Sequence, residues 1–222
     1  MTDRGTWRQV TNLVATDLEG TGESGDAAVM LEFAAVPLVN GVPALASAFS
    51  TLINPQRPVA RRPWMSPGIT SRALELAPTL EQVAPKITPR LTGAYLIGHN
   101  IGVDWRLLHR RCPAITVAGL VDTYQLAKAL PATGKRSLTA LLDAHQLTEK
   151  VNAAAPTSQP HRALWDTIAA ALLLDALIRK RWTTDPTLDD LLTATDPSPA
   201  AHRRQAAADP PSLFDPPDPP HT

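Results

Sequence analysis

The sequence predicts a mixed α/β fold: an antiparallel three-strand meander, extended by parallel strands and flanked by helices. Three observations carry this. "VTNLVATDLE" is a short apolar run leading into acids, and reads as a buried strand. "AVMLEFAAVPLVNGVPALASAFSTLINP" is rich in Val, Leu and Phe, with Asn40-Gly41 between two apolar runs, a strong hairpin signal. Downstream, strand-like and helix-like segments alternate, and strands followed by such alternation give a mixed sheet with helices packed on it.

The elements follow in order. The first strand and the hairpin make the meander. A proline-rich loop, "NPQRPVARRPWMSPGIT", comes next, then helical stretches through Leu91. "GAYLIGHN" is a fourth strand, and "VDWRLLHRR" a helix beginning near Asp104. "TVAGLVDTYQLAKAL" is a fifth strand running into a helix, and "SLTALLDAHQL" is another helix. "HRALWDTIAAALLLDALIRKRW" is a long helix, with Leu164, Ile168, Ala171 and Leu172 spaced as a core-facing stripe.

The 222 residues allow one good-sized domain plus extras. Residues 1–182 are expected to form it. The remainder, 183–222, reads as a tail holding nine of the 22 prolines, seven Asp and two Arg. Such composition cannot bury enough apolar surface to offset ordering the backbone, so disorder is expected from about Asp185. The tail carries a charge of −5 and the rest +5, within a net charge of zero. A basic surplus suits a polyanionic partner, although ordinary surface charge explains it as well. A single cysteine, Cys112, excludes an internal disulfide. The first twelve residues lack the apolar core of a signal peptide, and no apolar run approaches the ~20 residues of a membrane span. A soluble, cytoplasmic protein is expected.

Asp17 and Glu19, in "VATDLEGTG", stand two apart in a strand and so share a face. Two carboxylates that close repel unless something positive lies between them. Gly20 and Gly22 remove side chains beside them, which would let a substrate backbone approach. An acidic strand end turning into a glycine loop is the plainer alternative. Asp104, in "LIGHNIGVDWRLL", is either a first-turn helix acid or a third carboxylate delivered to the same sheet edge. His161 and Asp166 are five residues apart, about 140° around a helix. They converge only if His161 lies on the loop before it, which Pro160 favours. Asp166 then sits in an otherwise apolar helix start, where a buried acid needs a compensating partner.

Taken together, "DLEGTG", "GHNIGVDWRLL" and "HRALWDT" resemble the three exonuclease motifs of the DnaQ-like DEDD superfamily, in its H-x4-D subgroup. That group includes the proofreading subunit of the bacterial replicative polymerase, ribonuclease T and oligoribonuclease. The resemblance spans roughly Val10 to Arg181 and includes "LINPQRPV", "GIT" and "VDT" in family order. Gly20, Pro67 and Val103 depart from it, where a threonine, a histidine and a phenylalanine are usual. These departures bear on substrate preference, not on the metal ligands. Glu32 and Asp122 also match family positions and read as structural, a sheet-edge hydrogen bond and a helix start.

The resemblance implies a ribonuclease H-like fold and a 3′→5′ exonuclease. Two divalent ions, Mg²⁺ or Mn²⁺, would be held by Asp17, Glu19, Asp104 and Asp166, hard oxygen ligands that suit them. His161 would act as general base. Leu18 and Thr21 would meet the terminal nucleotide, with Ile69 and Asn100 as further contacts. The partner would be a single-stranded or frayed 3′ end of DNA, releasing nucleoside 5′-monophosphates in proofreading or repair. The alternatives are an exoribonuclease on short or structured RNA, and a non-catalytic adaptor that keeps the fold. In the tail, Ser212-Leu213-Phe214 resembles the end of a sliding-clamp peptide, so a polymerase or clamp contact through Leu213 and Phe214 is a further expectation.

Overall fold

A computed structural model describes residues 5–63, 65–131 and 134–195. Six strands form one mixed sheet: β1 (Leu13–Gly20), β2 (Met30–Val39), β3 (Val42–Pro43), β4 (Phe49–Leu52), β5 (Tyr95–Gly98) and β6 (Gly119–Asp122). The order is β3-β2-β1-β5-β6, with β4 also pairing β2. β1 is antiparallel to β2 on one side and parallel to β5 on the other, and β5 is parallel to β6. The helices are α1 (Ser71–Glu75), α2 (Leu80–Leu91), α3 (Ile101–Arg111), α4 (Thr123–Lys128), α5 (Leu138–Ala144), α6 (Thr148–Ala154), α7 (Ala163–Arg181) and α8 (Leu188–Thr195). None of the described helices is long and apolar enough to cross a membrane.

The expected mixed sheet is present, but the third strand of the meander is not continuous. Asn40 and Gly41 take the turn with φ of 52° and 76°, the left-handed pair a tight hairpin needs. Val42 and Pro43 then pair with β2, and Ala44 N donates to Pro37 O at 2.8 Å, before a 3₁₀ turn at Leu45–Ser47 intervenes. Pro37 has no N–H with which to return that bond, and the ladder stops there. Pairing resumes at β4, where Phe49 to Leu52 run against Ala35 to Glu32.

Alternation along β1 divides the core. Leu13 and Ala15 join the larger cluster, which is centred on α7. Val14 and Leu18 join the opposite layer, with Ile87 of α2 and Leu107 and Leu108 of α3. The expected stripe on α7 is corrected in two places. Ile168 and Ala171 are buried, but Leu164 and Leu172 are only half-buried, and Trp165, Ala169, Ala170, Leu173 and Leu174 are buried too. A helix packed against the sheet and against α4, α5 and α6 is covered on most sides, so one stripe does not describe it.

The expectation of disorder from Asp185 is corrected for residues 185–195, while residues 196–222 lie outside the described residues. α8 packs on β6 and α4, with Leu191 fully buried and Leu188 and Leu192 against the same core. Asp185 accepts from Arg8 Nε at 2.7 Å and from Trp7 Nε1 at 3.4 Å, and Trp7 N donates to Pro186 O at 2.9 Å. Proline and aspartate dominate the average over 183–222 and conceal one short amphipathic stretch. Leu213 and Phe214 lie outside the described residues.

Candidate active site

Asp17 and Glu19 continue the face of β1 that carries Leu13 and Ala15 beneath α7. The core therefore ends in two carboxylates at the strand's C-terminal end. Asp166 stands in the first turn of α7, above that same face. Oxygens of Asp17, Glu19 and Asp166 all come within 4.8 Å of one another. Asp104 stands in the first turn of α3, which starts at Ile101, three residues earlier than expected. Its side chain is buried and close enough to act electrostatically on Asp17 and Glu19, but it lies outside the three-carboxylate set.

The start of α3 is fixed by a small network. Asn100 takes a left-handed φ of 63°. Its N–H donates to Asp122 Oδ1 at 2.9 Å, and the same oxygen caps α4 through Tyr124 N at 2.9 Å. Asp122 thus joins the ends of two neighbouring parallel strands. It extends the helix-start role read from sequence to the positioning of Asp104.

The electrostatics follow from burial. Desolvation, then the neighbouring carboxylates Asp104, Asp166, Glu19 and Glu32, hold the Asp17 carboxyl well above its ordinary range. Glu19 is pushed up to about 9 by desolvation and by Asp166, Glu32 and Asp104, with Arg162 pulling the other way. Asp166 is raised to about 7 by desolvation, while the hydrogen bond from the His161 backbone opposes the rise. Asp104 is raised by desolvation, Asp122 and Asp166. A close set of oxygen ligands that repel one another, with Arg162 and Arg106 opposing this only in part, fits a divalent cation, which would relieve the repulsion.

His161 lies off the helix, as Pro160 implies, in an exposed turn with φ of 64°. Of the four expected substrate contacts, Asn100 alone has an exposed side chain. Leu18 packs in the layer opposite the carboxylates. Thr21 is buried, its hydroxyl accepting from Val29 N at 3.3 Å. Ile69 packs with Leu31, Met65 and Leu74. Gly20 makes room for Leu107 of α3, since a Cβ there would stand 3.0 Å from Leu107 Cδ2.

One functional neighbour was missed by sequence reasoning. Arg162 makes a two-pronged ion pair with Glu32, Nε to Oε2 at 2.8 Å and Nη2 to Oε1 at 2.7 Å. Glu32 also accepts from Ala163 N at 3.2 Å. A buried glutamate in "MLEFAAV" demanded a partner. "HRALWDT" held an arginine between the two residues already singled out, and that was the available signal.

A mixed sheet of this order with a carboxylate cluster at its edge defines the class: a domain of ribonuclease H-like exonuclease fold. The chain belongs to the exonuclease family, whose RNase T-type family model matches residues 14–174. A DNA polymerase III subunit epsilon-like protein of Rhodobacter capsulatus is 33% identical over 182 residues, covering 77% of this chain and 25% of that protein. The 3′-5′ exonuclease DinG of Bacillus subtilis is 30% identical over 187 residues, covering 80% of this chain and 19% of that protein. The chain thus spans a quarter or less of these two relatives. Among solved structures, exonuclease X in complex with 5′-overhanging duplex DNA is similar at 25% identity and a TM-score of 0.57, covering 83% of this chain and 99% of that one.

Proposed function

We propose that this chain is a 3′→5′ exonuclease domain that releases nucleoside 5′-monophosphates from single-stranded or frayed 3′ ends of DNA, in proofreading or repair. The observation that carries the reading is the convergence of Asp17, Glu19 and Asp166 within 4.8 Å, with buried Asp104 beside them. These four would hold two divalent cations, Mg²⁺ or Mn²⁺. Bound there, the cations would supply Lewis-acid stabilisation of the phosphoryl group and of the departing oxygen. His161, exposed and next to the cluster in sequence, would take the proton of the attacking water, since histidine changes charge near neutral pH. Asn100 would hold the strand at the start of α3, while Leu18, Thr21 and Ile69, whose side chains pack inward, would meet the terminal nucleotide through their backbone.

The choice of DNA rests on the relatives. The Rhodobacter protein is named for a DNA polymerase subunit, and the similar exonuclease X structure contains duplex DNA. The test is digestion of labelled single-stranded DNA, duplex DNA with a mismatched 3′ end, and short RNA, each with Mg²⁺ and with EDTA. Stepwise loss of 5′-monophosphates from DNA, abolished by EDTA, is expected. Faster digestion of RNA would move the substrate to RNA, and binding without hydrolysis would make the chain an adaptor. A clamp or polymerase contact through Leu213 and Phe214 rests on sequence alone. A peptide spanning residues 209–217 that does not bind the clamp of the same cell would remove it.

A further inference from the structure

Arg162 lies between His161 and the helix that carries Asp166, and its guanidinium is held between Glu32 and Gly68. Glu32 on β2 receives it through both prongs. The backbone of Gly68 lies against it, so close that a side chain at Gly68 would run into Nη1. Nearby, Gln159 Nε2 donates to Ser66 Oγ at 3.2 Å. The segment 159–162 is therefore fastened both to the sheet and to the loop holding Ser66 and Gly68. Its backbone is tightly turned, with Arg162 N donating to Gln159 O at 3.1 Å and His161 at a left-handed φ. A non-glycine residue keeps that conformation only where its surroundings enforce it.

The energetic case concerns Glu32. Its side chain is 3% exposed, so the carboxylate has left water and depends on its partners. It faces Glu19 directly across the β1–β2 register. Without Arg162, the charge of Glu32 would act on the acid cluster unopposed and the turn would lose its anchor.

We propose that Arg162, held by Glu32 and Gly68, is a positioning residue that acts through His161. It fixes the turn from which His161 reaches the reacting water. The proposal rests on the exonuclease reading and on His161 as its base. Misplacing a reacting group by about 1 Å costs on the order of 10²-fold in rate.

The test is steady-state kinetics of a double-mutant cycle on single-stranded DNA with Mg²⁺, using wild type, Arg162→Gln, His161→Ala and the pair. Gly68→Ala is measured as a variant that crowds Arg162 without removing either charge. Arg162→Gln should lower kcat by roughly 10- to 100-fold with KM within about twofold, and Arg162→Lys should restore part of it. In the His161→Ala background the same substitution should have almost no further effect, because its target is gone. A purely structural role would give the same fold-loss in both backgrounds, and that result overturns the proposal. So would unchanged kcat in Gly68→Ala and Arg162→Gln while the wild type is active. If Arg162→Gln fails to fold, the same cycle run with Gly68→Ala decides. A wild-type chain that hydrolyses nothing defeats the exonuclease reading instead, which keeps the two failures apart.

Discussion

Glu19 and Glu32 face each other across the β1–β2 ladder, and they have opposite surroundings. Glu32 is sealed from water and completed by Arg162 and by the amide of Ala163. Glu19 is less buried, yet it meets mainly other carboxylates, Asp166 above all. Arg162 acts on both acids, but its fork is bonded to Glu32, so Glu19 keeps an excess of negative neighbours that a charge from outside would balance. Buried carboxylates alone therefore do not mark an active site. What marks it is burial without an internal partner, which is unfavourable for folding and is kept where a bound cation supplies the missing charge.

The largest effect expected from this contrast is on activity. Asp17→Ala or Asp166→Ala should reduce hydrolysis to background, while the metal-free protein melts at the same temperature or higher because like-charge repulsion falls. Asp17→Ala with wild-type turnover would show that the three-carboxylate set is not the catalytic centre.

On the other side of the ladder the order reverses. Glu32→Ala leaves the Arg162 charge half-buried without its partner, and breaking such a pair costs about 3–5 kcal/mol. Urea unfolding should show a clear drop in midpoint for Glu32→Ala and none for Glu19→Ala. Equal losses would mean that the two glutamates do not differ as their contacts suggest.

Much of this was legible in the sequence, for physical reasons that can be named. Asn40-Gly41 fixed a hairpin because few residues tolerate its two left-handed angles. Pro160 kept His161 off the helix. Ordered acid motifs drew Asp17, Glu19 and Asp166 to one edge. What stayed hidden depended on tertiary contact. α8 needed the β6 and α4 surfaces to give Leu191 a core. Leu18 and Ile69 were expected at the substrate, and the motifs alone did not reveal that strand alternation and the loop after β4 bury their side chains. Arg162 was not singled out because nothing local says which acid, 130 residues away, it will meet.

A third effect is the alkaline limb of stability. In the metal-free protein Glu19 is raised to about 9 from an ordinary 4.5, and Asp166 to about 7 from 3.8. The folded state thus holds more protons than the unfolded one between those values. The contribution of these two acids is fully present below the ordinary carboxylate range and is lost as pH rises through 7 and towards 9. Divalent cations compete with those protons, so the rise in Tm on adding Mg²⁺ over EDTA should grow with pH. A gain that is the same at pH 5.5 and pH 8.5 would separate metal binding from these acids.

The smallest effect belongs to a buried group at the same sheet edge that is completed by neutral partners. His99 lies between Thr123 Oγ1, 3.0 Å from Nδ1, and Arg136 O, 2.9 Å from Nε2. Desolvation lowers it to about 4, and the Arg136 carbonyl only partly offsets this. Here the unfolded chain binds the extra proton, so the contribution is present above pH 6.5 and is lost as pH falls towards 4, the reverse of the acid cluster. At about 1.4 kcal/mol per unit of pKa, the loss is at most about 3.5 kcal/mol, and partial solvent access reduces it further. His99→Gln can keep both hydrogen bonds through its amide and has no proton to gain. Its urea midpoint should change less than that of the wild type between pH 7 and pH 4.5. If the two proteins lose stability in parallel over that interval, His99 is not the source of the acid limb, and protonation elsewhere must account for it.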